Sequence, residues 1–134
     1  MEKETIDWSD FKKIDFRIGT ILAVDKFEEA IKKSYKIWVD FGPLGKRKTS
    51  AQITKNYKIN DLIGKQIIGV LNFPAKQIAN FKSEFLLLGA IDKELQNVII
   101  IQPESKVKNG SKVSWWKEIQ NKSLFKIEFL LTYC

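Results

Sequence analysis

From Ile14 onward the chain alternates apolar and polar positions at a period of two, the spacing of a half-buried β-strand. Ile14, Phe16, Ile18, Leu22 and Val24 fall on one side, and Asp15, Arg17, Gly19 and Asp25 mainly on the other. A glycine in mid-strand ordinarily weakens it. In a small barrel Gly19 lets one strand bend sharply and pair at both of its ends. Tyr35, Ile37, Val39 and Phe41 then alternate with Ser34, Lys36, Trp38 and Asp40 as a second strand, stopped by the turn signal Gly42-Pro43-Leu44-Gly45. Residues 47–53 return as a third strand, with basic residues near the hairpin tip.

Further along, a short connector over 59–63 precedes a more fully buried strand over 66–73, interrupted at Gly69 and stopped by Pro74, which cannot donate to a central ladder. Residues 75–81 read as a loop or helical turn, 85–91 as an apolar strand, and 98–101 as a further short strand closed by Pro103. Upstream, Asp7 is suited to cap one or two helical turns ending near Lys13, with Trp8 and Phe11 three apart on one face. So short a helix needs a surface on which to bury those rings. Several short strands, little helix and closely spaced turns predict an all-β domain built as a closed barrel. In the tail, Phe125, Ile127, Phe129, Leu131 and Tyr133 alternate with Lys126, Glu128, Leu130 and Thr132, which is strand-like; so apolar an edge packs on its own barrel or on a second subunit, unless the tail is an extension foreign to the protein.

Length and composition narrow the function. The 134 residues are of one-domain size, and no apolar run approaches the roughly 20 residues of a membrane span. The acidic start Met1-Glu2-Lys3-Glu4 is unlike a signal peptide, and Cys134 is the single cysteine, which fits a reducing cytoplasm. There is no histidine, which removes Ser-His and Cys-His nucleophilic machinery and histidine metal sites. No Walker loop or dinucleotide fingerprint is present, and Asp15, Asp40 and Glu84 have no spacing that pairs them as acid and base. Neither an enzyme nor a metal or cofactor site is expected. The formal charge of +7 is unevenly spread. Residues 32–58 hold eight Lys or Arg against the single acid Asp40, whereas residues 1–31 hold five against eight acids. Such a local field suits a polyanion; a solvated lysine-rich face is the structural alternative.

Four segments carry a family resemblance. Ile14-Asp15-Phe16-Arg17-Ile18-Gly19-Thr20-Ile21 resembles the opening strand of tRNA-binding domains, and Ser50-Ala51-Gln52-Ile53-Thr54 resembles their third-strand segment in its CsaA-like form. Val70-Leu71-Asn72-Phe73-Pro74-Ala75-Lys76-Gln77-Ile78 is similar to the family's strand-to-loop motif, and Phe81-Lys82-Ser83-Glu84-Phe85-Leu86-Leu87-Leu88-Gly89 to the strand that follows. Glu84-Phe85 is the CsaA-like variant of a position where the broader family carries Gly-Met. With Gln102-Pro103-Glu104 and Asn109-Gly110-Ser111-Lys112-Val113, the resemblance runs from about Asp10 to Val113. It implies a five-stranded OB-fold barrel over 14–113, a helical extension over 1–13 and a C-terminal extension over 114–134 outside the match. It also implies a symmetric homodimer with terminal segments in the contact, tRNA binding, and chaperone-like binding of unfolded or exported polypeptides.

An OB barrel offers a groove in which lysines track phosphates and exposed aromatics stack on bases. The resemblance puts Lys76, Gln77, Lys82 and Ser83 around that groove, with Asn72 beside it and Ser50, Gln52, Lys55 and Lys58 on the neighbouring basic segment. The structural alternatives are a turn cap for Ser83, a strand-end clasp for Asn72 and solvated surface for Lys55 and Lys58. For a peptide ligand the candidates are Phe73, Ile78, Phe81 and Glu84, with core packing the alternative for Phe81. Trp8 and Phe11 are expected in the dimer contact or the core.

Overall fold

A computed structural model describes residues 2–121 of the chain, and the tail alternation over 125–133 lies outside them. Helix α1 (Trp8–Lys12) forms where the sequence predicts it. The Asp7 side chain accepts from Asp10 N–H and the Asp10 side chain accepts from Asp7 N–H, a reciprocal capping box. The barrel strands are β1 (Phe16–Lys26), β2 (Tyr35–Asp40), β3 (Lys46–Ala51), β4 (Gln66–Val70), and, after the short strands β5 (Lys76–Ile78) and β6 (Phe81–Ser83), β7 (Leu86–Leu87). They hydrogen-bond in the order β3-β2-β1-β4-β7. A short helix α2 (Ile59–Leu62) seals one end with Leu62, and β8 (Gly89–Asp92) pairs with β9 (Asn97–Ile100). This is an all-β, nearly closed five-stranded barrel of the OB type.

Strand β1 serves two partners, as the mid-strand glycine predicts. Residues 16–20 pair with β4, and residues 20–26 pair with β2. Gly19 does more than permit the bend: a Cβ there would lie 2.5 Å from Val39 Cγ1 and 2.7 Å from Phe41 Cδ1. A Cβ on Gly69 would meet Phe41 Cζ and Phe85 Cδ2, both at 2.9 Å. The two glycines thus clear the space in which Phe41 and Phe85 meet edge to face at 5.0 Å, at the centre of a core with Ile21, Ile37, Val39, Leu62 and Ile67.

Two expectations fail locally. A β-bulge between Ile21 and Ala23 shifts the register, so Ile21 is buried and Leu22 is 42% exposed. Residues 75–81 are not a loop or helical turn. They contribute most of the β5–β6 hairpin, whose two-residue turn Ala79-Asn80 carries a positive φ at Ala79. That is the backbone of a primed turn, built without the usual glycine.

The barrel seam is closed largely by side chains. Glu84 N–H donates to Lys48 O at 2.8 Å, and Glu84 Oε1 accepts from Lys48 N–H at 3.0 Å. One residue thus satisfies both seam-facing groups of Lys48. Two residues along β3, Ser50 N–H donates to Ser83 Oγ at 3.2 Å, and buried Thr49 Oγ1 donates to Phe85 O at 2.7 Å. At the far end, the buried Gln66 amide bonds both Val107 O and Val107 N–H, fixing the chain that leads to the Arg17–Lys112 bridge.

Candidate nucleic-acid interface

Along β2 and β3 the residues split cleanly by register. Tyr35, Ile37 and Val39 face the core, while the pairs Lys36–Ser50, Trp38–Lys48 and Asp40–Lys46 lie on the outer face. The β5–β6 hairpin packs over part of that outer face. In it, the cross-strand pairs Lys76–Ser83 and Ile78–Phe81 turn toward the barrel, and the pair Gln77–Lys82 lies on the exposed face, with Gln77 at the edge of the groove described below. Phe81 is the wedge, buried against Phe27 at 5.3 Å and Trp38 at 6.1 Å.

Between the hairpin and the barrel runs a groove. One compartment of about 280 Å³ lies along the seam, lined by Thr49 to Gln52, Phe73, Lys76, Ile78, Ser83 and the β7 residues Leu86 and Leu87. A second, of about 750 Å³, shares Ser50, Gln52, Lys76 and Ile78 with the first and extends past Gln77 to the loop residues Glu29, Ile31 and Lys32. The groove therefore combines an apolar floor, hydroxyl and amide groups, and two lysines at its rim. Phe73 is 53% exposed and Ile31 fully so.

Of the candidates read from the sequence, the structure brings together Ser50, Gln52, Phe73, Lys76, Gln77, Ile78 and Ser83. It engages the others elsewhere. Asn72 clasps the end of β4 to the start of β1, its Oδ1 accepting from Asp15 N–H at 2.9 Å and its Nδ2 donating to Lys13 O. Lys55 Nζ donates to Leu95 O at 2.8 Å, Lys58 stands at the N-terminus of α2, and Lys82 lies on the hairpin's solvent face. Phe81 is in a small core of its own, and Glu84 is in the seam.

The basic segment is likewise partly committed. Lys36 Nζ lies 4.9 Å from the Phe27 ring centroid and Lys48 Nζ 5.2 Å from that of Phe81, both as cation–π caps, and Arg47 donates to Leu71 O at 3.1 Å. Trp38 is half-buried on the outer face of β2, packed edge-on against Phe81 and outside both compartments of the groove.

A second aromatic array runs through the ends of the described chain. Phe16, Phe11, Trp8, Trp115 and Trp116 follow one another at ring separations of 5.3 to 6.0 Å. Trp8 and Phe11 therefore pack on one another, Phe11 also on Phe16 of β1 and Trp8 on Trp115 of the C-terminal segment. Beside them Lys112 Nζ donates to Glu118 Oε1 at 2.6 Å, which, with a hydrogen bond from Ser114, holds the Glu118 carboxyl below its usual range. Among the described residues no cluster of His, Cys, Asp or Glu is placed to hold a metal, and no helix is long and apolar enough to cross a membrane.

The family model described as "Putative tRNA binding domain" matches residues 16–112. Among solved structures, the chaperone CsaA of Bacillus anthracis is 44% identical with a TM-score of 0.78, covering 83% of this chain and 100% of its own. The CsaA chaperone protein of Picrophilus torridus is 48% identical with a TM-score of 0.76, covering 82% of this chain and 100% of its own. Among curated relatives, the methionine–tRNA ligase of Porphyromonas gingivalis is 34% identical over 110 residues, which is 82% of this chain but 16% of the ligase. The chain thus spans about a sixth of the length of the ligases it matches. It belongs to the tRNA-binding-domain family, in its CsaA-like form.

Proposed function

We propose that this chain is a non-catalytic, cytoplasmic tRNA-binding protein that holds structured RNA in the groove between the β5–β6 hairpin and β3. The observation that carries the reading is the convergence of Lys76, Gln77, Ser50 and Gln52 on one open groove of an OB barrel whose family is defined by tRNA binding. Lysine ammonium groups engage phosphates, and the hydroxyls and amides reach ribose and base edges. Recognition of this kind reads shape and phosphates more than sequence. In this reading residues 14–113 form the binding domain, 1–13 and 114–134 are extensions, and the array of Trp8 and Phe11 belongs to a homodimer contact.

A second reading is favoured by the apolar side of the same groove. Exposed Phe73, with Ile78, Leu86 and Ile31, offers purchase for apolar side chains of an unfolded polypeptide, and the CsaA relatives are described as chaperones. Suppression of aggregation of a chemically unfolded protein, with total tRNA added as competitor, separates the two. Protection abolished by tRNA means one groove for both ligands. Absence of both binding and protection removes the chaperone reading, and absence of any tRNA complex removes the first.

A further inference from the structure

Away from the groove, residues 110–113 run beside the first half of β1. Gly110 N–H donates to Ile18 O at 2.7 Å, Ile18 N–H to Ser111 O at 2.9 Å, and Val113 N–H to Phe16 O at 3.0 Å. The segment enters through a tight turn over 108–111, closed by Ser111 N–H on Lys108 O at 3.1 Å, with Gly110 at a φ of 90°. Asn109 is anchored in that turn by its side chain. Its Oδ1 accepts from Thr20 Oγ1 at 2.7 Å and from Gln66 Nε2 at 3.1 Å, while Arg17 donates to Gly110 O at 3.1 Å.

Asn109-Gly110 is the single Asn-Gly pair of the chain. Asparagine is a thermolabile residue, and a following glycine, without a Cβ, leaves its amide nitrogen unshielded beside the asparagine side chain. In the folded chain that nitrogen is committed, because its proton lies on Ile18 O. Nor does the fold admit another residue in place of the glycine. A Cβ on Gly110 would lie 2.6 Å from Phe41 O, on a backbone of positive φ. Protection of the pair therefore has to come from the docking of the segment on β1.

We propose that Asn109 is a deamidation site gated by the docking of residues 109–113 on β1, and that its isoaspartyl product cannot dock again. When the segment leaves β1, the Gly110 nitrogen gives its proton to solvent and attacks Asn109 Cγ. A new C–N bond forms, the Cγ–Nδ2 bond breaks, and ammonia leaves. Water then opens the cyclic imide, at the main-chain carbonyl to give isoaspartate or at Cγ to give aspartate; nothing is oxidised or reduced. Isoaspartate routes the backbone through the former side chain and so adds one carbon before the Gly110 nitrogen. Gly110 N–H and Ser111 O then no longer match Ile18 together, and the Trp115 contact on Trp8 loses its anchor. A molecule that has opened here is thereby marked, and it loses the terminal packing.

The test incubates the full chain at mildly alkaline pH, folded and in urea. Isoaspartate is followed by enzymatic methylation, and ammonia loss by a one-unit mass gain in the peptide that contains Asn109. Isoaspartate should accumulate in urea, and roughly a hundredfold more slowly in the folded parent, where the segment is open only a small share of the time. Arg17→Gln removes the bonds to Gly110 O and Asp15 without touching Asn109, and should speed the folded reaction by roughly three- to tenfold. Thermal melts establish that this variant is folded; if it is not, the parent in urea below its unfolding transition supplies the loosened state. Asn109→Gln should abolish the signal. Isoaspartyl chains returned to buffer should lack the near-ultraviolet circular dichroism of packed tryptophans that unmodified chains regain. Equal rates in the folded and unfolded parent, or no acceleration in the loosened state, overturn the gate. A signal that survives Asn109→Gln, or none in urea, overturns the site. Isoaspartyl chains that regain the parent spectrum overturn the claim that the product cannot dock.

Discussion

Replacing Glu84 tests whether side chains close the barrel. In the folded chain the carboxylate accepts from Lys48 N–H at 3.0 Å, while the Glu84 backbone donates to Lys48 O at 2.8 Å. Glu84→Ala keeps the second bond and removes the first. It leaves the Lys48 amide facing a gap in the seam. A hydrogen bond to a charged group is worth about 1.5–3 kcal/mol, and partial exposure lowers that to about 1–2 kcal/mol. For a chain of this size the melting temperature should fall by about 4–8 °C. Glu84→Gln retains an acceptor oxygen at the same reach and should stay within about 2 °C of the parent. Circular dichroism melts of the three proteins read this directly. If Glu84→Ala melts within about 1 °C of the parent and instead loses a polypeptide ligand, Glu84 acts at the groove and the seam argument fails.

Other positions give sharper local tests. Gly19→Ala puts a methyl 2.5 Å from Val39 Cγ1 and 2.7 Å from Phe41 Cδ1, both walls fully buried, so urea denaturation should show a loss of about 2–3 kcal/mol; an unchanged midpoint would mean the Phe41 ring has room to slide. Glu118 has its carboxyl pulled below the usual value of 4.5 by the hydrogen bond from Lys112. A depressed folded value means that its stabilisation is present above that ordinary value and disappears as pH falls through the lower folded one. Urea midpoints across that acid range should therefore decline less steeply in Glu118→Gln than in the parent, and parallel curves would contradict the pairing. Lys55→Gln removes the bond to Leu95 O and should leave the salt dependence of tRNA binding unchanged, as measured by filter binding.

How far the sequence predicted the fold depends on the range of the interactions that decide each part. The β2 alternation and the α1 cap are local, and both appear as expected. The outward turn of Leu22 was not legible, because a bulge inverts the alternation without leaving a mark in composition. The β5–β6 hairpin was missed because its strands are three residues long and its turn is Ala79-Asn80, without the Asn-Gly or Gly-X signal that usually announces one. Ser83 and Glu84 were visible as polar residues. Their pairing with Ser50 and Lys48 crosses more than thirty residues of chain and follows only from barrel closure. The basic stretch over 32–58 marked a real concentration of charge, yet Lys36, Lys48 and Arg47 spend part of it on aromatic caps and a main-chain carbonyl. Lys76, which lies outside that stretch, is the lysine common to both compartments of the groove.

The central claim is that RNA is held by phosphate contacts in the groove at Lys76. The most direct measurement is the affinity for total tRNA over a salt series, for the parent and for Lys76→Gln. The log–log slope of the parent should be negative, and that of Lys76→Gln should be shallower by about 0.7–0.9, the share of one phosphate contact. Identical slopes and affinities in the two proteins, or no salt dependence in either, would contradict it.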